Sequence, residues 1–411
     1  MSDSKLNVII IGAGIAGLAA ASVLREHHAV TVYERGDQQF ATGGQGMCVF
    51  PNGVNILLSR GFNPSQAGGV PCKGYRSFNK NGELLEDFPI NFRGRYGADM
   101  LMMKRSDLRD ELMRTATASA SELGVNGDTA RMVFNTSVVD IDPDTASITL
   151  RDGSIIEGDV LIVADGIHSD LRPKITLDEQ QRPRKTGLTL FRISVSAEDV
   201  KRVLGQLPDW WNSEGDDSHL NILQADDGTH RILAHYPVKH HEHRNFSCLL
   251  PMPKDREEVV ESWYADGDRK EMLQNFADFN RQIHSVLSVA TEVKFHDLED
   301  MEPLFRWNKG RALLVGDAAH AMTPLQGQGA NMAIEDADSL RLLLPGMNHE
   351  EIAITLQKID SVRRPRATQV LMDTREQAKN VTIEDRMAKM DFNCGYRGIH
   401  DTLKGLRPIT K

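Results

Sequence analysis

The chain has few cysteines, no paired cysteine spacing, no long basic tract and no uninterrupted apolar run of membrane length. Each absence closes off a class of protein. Cys48, Cys72, Cys248 and Cys394 are scattered through 411 residues without a CxxC, which argues against a disulfide framework and against a cysteine-built zinc site. A reducing, cytoplasmic setting is expected. Forty-eight basic against fifty-eight acidic residues give a formal charge of −10, and no basic cluster is available to neutralise a phosphate backbone, so nucleic acid is not an expected partner. Asn7 to Leu24 is apolar enough to imitate a signal peptide or a membrane span, but Gly12, Gly14 and Gly17 interrupt it. Glycines there weaken a spanning helix and suit a strand-to-helix turn, so no membrane span is expected. The length exceeds what one ordinary core serves, and two packed regions or a large α/β body with an inserted layer are expected.

What is present begins with that same stretch. "LNVIIIGAGIAGLAAASVLREHHAVTVYER" divides into a β-branched run, a glycine turn, an alanine-rich helix from about Ile15, and a second strand ending at Glu34. In a dinucleotide-binding turn the first glycine makes the bend, the second admits a pyrophosphate, and the third lets helix and strand pack closely. Gly12, Gly14 and Gly17 occupy those places, and the helix start offers free N–H groups and a positive dipole end. A lone GxGxxG is weak, but here an acidic residue closes the next strand at about the expected 20-residue spacing. A carboxylate at Glu34 accepts hydrogen bonds from a ribose and repels a 2′-phosphate. The expected nucleotide is therefore FAD or NAD rather than NADP, with Arg35 beside it.

Two more glycine segments follow. "GDVLIVADGIHSDLRP" presents an apolar strand, Val160 to Val163, and then Asp165 and Gly166. Alone, it reads equally well as a strand followed by a capped helix. "VGDAAHAMTPLQGQGANMAIEDA", from Val315, has a crowded loop in which Gly327 and Gly329 straddle one glutamine and Pro324 stiffens the approach. Without Cβ atoms, such a loop can lie against a flat ring system.

Taken in order, the GAGIAG turn with Glu34, the Asp165–Gly166 segment and the Gly316–Asp317 segment resemble the single-component FAD-dependent aromatic hydroxylases. These are the class A flavoprotein monooxygenases that include salicylate hydroxylase-like enzymes. Weaker echoes lie in Gly43 to Phe62, in "KRSDLRDEL" around Arg105, and in "RRPRA" from Arg363. The resemblance implies an α/β fold, with a Rossmann-type FAD-binding domain, an inserted mixed β-sheet substrate domain and C-terminal helices. The expected boundaries are 1–70, 105–180 and 300–345 for the FAD-binding domain, 71–104 and 180–300 for the substrate domain, and 346–411 for the helical segment. It further implies that Asp317 holds the ribityl chain, that Gly329, Ala330 and Asn331 contact the isoalloxazine, and that Pro324 lines the reaction cavity. Gly46 would pass the flavin, and Arg105 would lie near the FAD phosphates and ribityl. As an alternative, Arg105 caps or pairs with Asp107 or Asp110 on its own helix.

Between the nucleotide segments the pattern changes to period two. "CKGYRSFNKNGELLEDFPI" predicts a hairpin turning at Asn81–Gly82, and "GLTLFRISVSA", "HLNILQADDGTHRILAHYPV" and "NFSCLLP" predict further strands of a sheet lying over the flavin. Arg192 breaks an apolar rhythm on the side of Leu188 and Leu190. It either meets a substrate phenolate or carboxylate or snorkels past the sheet edge. One of His235 and Tyr236 faces inward and could hydrogen-bond a substrate hydroxyl, and the pattern does not choose between them. The later histidines of "HYPVKHHEH", His240, His241 and His243, are expected in a solvated loop, not at a metal. Trp210 and Trp211 gate a pocket, feed a partner surface or pack a core. The segment from His349 has helical periodicity and predicts one or two helices.

The resemblance implies an FAD-dependent monooxygenase that hydroxylates a phenolic or other aromatic small molecule with O2 through a flavin C4a-hydroperoxide. Only one complete dinucleotide cradle exists, so NADPH or NADH is expected to bind transiently as co-substrate near the Asp165–Gly166 segment. The rivals are a dearomatising hydroxylase or epoxidase of a secondary-metabolite intermediate, and a flavin-binding protein without turnover. A monomer or homodimer is expected.

Overall fold

The computed structural model describes residues 4–38, 45–211, 218–252, 265–376 and 383–406. Gly43 and Gly44, at the head of one of the weaker echoes, and the residues that follow Trp211 up to Asp217 lie outside the described residues.

The first layer grows from two short runs that are apolar at nearly every position. In Asn7–Ile11 and Val160–Val163, Val8 to Ile11 and Val160 to Val163 are all buried, as strands covered on both faces must be. They sit at the centre of a six-stranded sheet, in the order Asn308–Lys309, Ala312–Leu314, Val160–Val163, Asn7–Ile11, Ala29–Tyr33, Arg131–Val133. All neighbours are parallel except the first pair. The helix Ile15–Leu24 is buried from Gly17 onward and packs against the helix Gly329–Ser339. Its alanines permit that approach, and the first and third glycine segments are thereby brought together. The later helix begins two residues before Asn331, at Gly329.

The second layer is a seven-stranded mixed sheet in the order Lys294–Asp300, Arg184–Ser196, His243–Pro251, Ile232–Val238, His219–Gln224, Gly74–Asn79, Leu84–Pro89. Only His219–Gln224 and Gly74–Asn79 run parallel. Gly74–Asn79 and Leu84–Pro89 form the hairpin, with Gly82 in the left-handed region at φ 89°. Period two divides the side chains between two faces. On the rear, Phe191, Ile193, Val195, Phe246 and Cys248 share a core with Met272, Ile283 and Val286 of the helices Arg269–Asn275 and Arg281–Val289. On the front, Leu190, Leu249 and Leu298 pack with Leu188, Ile232 and Leu325, the last from the crowded loop of the first layer. A small sheet of Gly46–Val49, Leu101–Lys104 and Val70–Pro71 lies where the layers meet.

The C-terminal segment opens with one 28-residue helix, His349–Glu376, which continues through Pro365. A proline there removes an intrahelical hydrogen bond and crowds the preceding turn. Ile359, Arg363, Ala367 and Val370, all buried, hold the helix against the body on both sides of it. Ile383–Cys394 and Ile399–Leu406 follow. Among the described residues no helix is long and apolar enough to cross a membrane.

Candidate active site

The first turn divides its glycines between packing and access. A Cβ on Gly12, at φ 102°, would come 2.5 Å from the Ala164 carbonyl oxygen, and one on Gly17 would come 1.9 Å from the Gly12 carbonyl oxygen. A Cβ on Gly14 would meet nothing within 4 Å. Two glycines are therefore required by the fold, and the third faces open space. Glu34 braces the turn from the second strand: its Oε2 accepts from the Ala13 N–H at 2.7 Å and its Oε1 from the Gly36 N–H at 2.7 Å. Carboxylate oxygens retain further acceptor capacity, enough for a ribose hydroxyl. Arg35 is exposed just beyond it.

The second turn touches the first through Ala164. Gly166, at φ 91°, also faces open space. Asp165 Oδ1 is buried with no hydrogen-bond partner among the described residues, and burial raises the carboxyl pKa. Arg172 ties this turn to the third. Its Nε donates to the Ala318 carbonyl at 2.8 Å and its Nη2 to the Ile167 carbonyl at 2.5 Å, while burial lowers its pKa to about 10.

The third turn is anchored by a buried charge network. The Gly316 N–H donates to Asp336 Oδ2 at 3.0 Å, and His320 Nε2 lies 2.6 Å from the same oxygen. Arg363 Nε donates to Asp336 Oδ1 at 3.0 Å, and its Nη1 reaches Glu335 at 2.5 Å. This is the structural use of the "RRPRA" segment. Asp317 heads the short helix Asp317–His320, and its Oδ1 stands 4.0 Å from the place a Gly329 Cβ would take. Asn331 uses its amide inside the protein: Oδ1 accepts from the Phe50 N–H at 2.8 Å and Nδ2 donates to the Gly327 carbonyl at 2.8 Å. The helix it belongs to has no side-chain cap at Gln328, so its first N–H groups, including those of Gly329 and Ala330, remain for a ligand. Pro324 opens a 3-10 turn in the same loop, with Gly327 at φ 65°.

The three turns fit FAD. Gly14 and Gly166 open outward, Asp165 carries an orphaned buried oxygen, and the uncapped helix start and Asp317 lie together at the far end of the cradle.

The front of the seven-stranded sheet meets this cradle at Gly46. Arg192 Nη2 donates to the Gly46 carbonyl at 2.9 Å, and the Gly46 N–H donates to Asn245 Oδ1 at 2.6 Å. A Cβ on Gly46 would stand 2.6 Å from the Asn245 Cβ and 2.8 Å from Tyr236 Cε2, so no larger residue fits. Arg192 is buried, and burial lowers its pKa while Tyr236 opposes that shift. The Tyr236 phenol is held well above its ordinary pKa, mainly by burial. His296, on the same face, is lowered to about 3 by burial and the Arg192 charge. Arg105 donates its backbone N–H to the Gln45 carbonyl at 2.8 Å, and its charge is felt by Arg192. Among the described residues Arg105 forms no ion pair with Asp107 or Asp110; Ser106 Oγ donates to Asp107 at 3.1 Å and Arg109 stands 3.9 Å from Asp110. The Arg192 guanidinium thus lies against Gly46 with the Arg105 charge near enough to act on it, and the potential there favours an anion.

His235 does not join this group. Strand alternation sends Tyr236 to the front and His235 to the rear, where its ring lies 5.0 Å from Trp210 and 5.3 Å from Phe246 and its Nδ1 accepts from Arg244 Nε at 3.0 Å. Trp210 and Trp211 pack over the Arg244 guanidinium at 5.2 and 5.7 Å. Lys239, His240 and His241 form a left-handed turn between strands. Asn245, His296, Arg172 and the Asp336–Arg363 network are absent from the sequence-based site. Asn245 and His296 were legible in principle as polar residues on the Leu249 and Leu298 parity of their strands. The ion pairs, 27 and 28 residues apart, leave no local signal.

Comparison with known proteins bears on the fold and the family. The pattern of a family described as an FAD binding domain matches residues 5–374. The chain is 32% identical over 393 residues to the FAD-dependent monooxygenase cfoG of Aspergillus candidus, covering 93% of this chain and 88% of that one. It is 28% identical over 390 residues to hispidin-3-hydroxylase of Neonothopanus nambi, covering 91% and 89%. Its fold is similar to that of a salicylate hydroxylase solved as a substrate complex, with a TM-score of 0.75, 22% identity and 100% of both chains covered. The chain belongs to the FAD-binding-domain family of FAD-dependent aromatic monooxygenases.

Proposed function

We propose that this enzyme hydroxylates a phenolic ring, bound as the phenolate between the front of the seven-stranded sheet and the FAD cradle, using O2 and either NADH or NADPH. The observation that carries the reading is the buried Arg192 beside Gly46 and Tyr236. A buried guanidinium at this seam suits an anionic ligand, which its charge and planar donors would hold. Relatives whose names specify hispidin and salicylate, both hydroxyl-bearing aromatics, support the same substrate class.

FAD, when bound, supplies hydride acceptance and oxygen activation. The chain supplies the rest. Arg192, with Arg105 behind it, lowers the pKa of a bound phenol and holds its oxygen, which enriches the ring in electrons. Tyr236, its own proton retained by burial, donates to that oxygen. Leu190, Leu249, Leu298 and Leu325 form an apolar wall that excludes water from the reacting carbon. The uncapped start of Gly329–Ser339 would offer N–H donors to FAD, and such donors would stabilise the negative charge of its reduced form. A neutral polyene would make no use of the Arg192 charge, which favours ring hydroxylation over epoxidation.

The test is to mix the FAD-loaded enzyme with NADH or NADPH and a panel of phenols, following cofactor oxidation and product mass. Phenol-stimulated oxidation with gain of one oxygen atom is expected. Oxidation without any oxygenated product across the panel would overturn the reading.

A further inference from the structure

Across the rear face of the substrate sheet runs a line of polar side chains for which the flavin-side chemistry has no use. Arg76, Asn221 and His235 are register partners on three neighbouring strands, set in a face otherwise built of residues such as Leu223, Leu233 and Phe246. They floor a cleft of about 370 Å³ walled by Phe78, Trp210 and Ile283. Asn221 and His235 are each 4% exposed, a depth at which polar groups ordinarily have partners.

Here the partners are incomplete. His235 Nδ1 accepts from Arg244 Nε at 3.0 Å, so the single proton of the neutral ring sits on Nε2. That N–H has no acceptor among the described residues, and His235 lines the cleft. The Asn221 amide, directly across the strand pair, makes only a 3.5 Å contact with the His219 carbonyl, too long to satisfy it. A donor and an amide therefore lie side by side, with the flat faces of Trp210 and Phe78 beside them.

We propose that this cleft is a second small-molecule site, separate from the flavin side, for a planar aromatic bearing an oxygen acceptor, either a phenol or an aromatic carboxylate. The oxygen would lie on the His235 Nε2–H and the Asn221 amide, and the ring against Trp210 and Phe78. Arg76, paired with Asp87 at 3.2 Å, and Asp209 stand at its border. The mixed charge admits a neutral phenol as well as a monoanion. Because His235 and Tyr236 are consecutive on one strand, a ligand behind the sheet steadies the strand that carries Tyr236 in front. The assignment stands on the rear face alone and does not depend on the substrate proposed for the front.

Two readouts taken together test it. Isothermal titration of the FAD-loaded enzyme with salicylate, and separately with phenol, counts every binding event. The visible flavin spectrum reports only those beside the cofactor. At least one probe is expected to show a saturable event that leaves the flavin spectrum unchanged. Asn221→Leu, which removes the amide, and Phe78→Trp, which fills the cleft, should each weaken that event tenfold or more while the bound FAD content stays at the parent level. Absence of a spectrally silent event with both probes would overturn the proposal. So would a silent event of undiminished affinity in the two FAD-replete variants.

Discussion

The three glycine turns that fit FAD and the seven-stranded sheet present their polar groups by opposite means. The cradle works with backbone: glycines that must be glycine, N–H groups at helix starts, and a few carboxylates that brace them. The sheet works with side chains, and its main-chain hydrogen bonds are spent on its own ladder. The difference teaches where specificity resides. A backbone site can change little without losing the fold, whereas a sheet face can exchange Arg192, Tyr236, Asn245 or His296 while its register stays intact. Relatives that keep one cofactor can therefore act on different rings.

Two glycines in one turn give the largest expected contrast. Gly17→Ala places a Cβ 1.9 Å from the Gly12 carbonyl oxygen and should cost about 3–5 kcal/mol of stability, seen as a large loss of soluble protein or of the denaturation midpoint. Gly14→Ala meets nothing within 4 Å. It should leave the midpoint in place and lower FAD affinity alone. Equal loss of stability in the two variants would break the division between packing and access.

Next in size is Asp317→Ala. Loss of a charged acceptor should weaken FAD by about 1.5–3 kcal/mol, roughly ten- to hundredfold, with a folded apoprotein remaining. Flavin content after gel filtration measures it, and full retention would remove Asp317 from the cradle.

A third prediction lies in the sheet and concerns pH. His296 has its folded-state pKa lowered to about 3 from the ordinary 6.5. Between those values the unfolded chain binds a proton that the folded chain does not, so stability falls as pH falls through that window. The slope from one such proton is at most about 1.4 kcal/mol per pH unit. His296→Leu should flatten the decline in urea midpoint between pH 6.5 and pH 4, and an unchanged slope would show that the ring is protonated without penalty.

The same comparison explains what could be read without a structure. Gly12, Gly14, Gly17 and Glu34 were legible because bend, approach and close packing each admit few residue types. Asp165 and Gly316–Asp317 became legible through their order along the chain. The strands around Arg192 showed in their alternation, which also put Arg192 on the side of Leu188 and Leu190. Alternation alone could not say which face looked at the cofactor, so His235 and Tyr236 stood equal until the layers were stacked. Pro365 interrupted no helix, because tertiary packing outweighed local preference there. Arg172 and the Asp336–Arg363 pair join segments remote in the chain, and nothing local marks them.

The most direct test of the division between cradle and sheet is Arg192→Ala, with bound FAD per chain and phenol-stimulated NAD(P)H oxidation measured on one preparation. Undiminished FAD with stimulation reduced tenfold or more is the predicted result. Stimulation equal to that of the parent enzyme across the phenol panel, or loss of FAD from a folded chain, would contradict it.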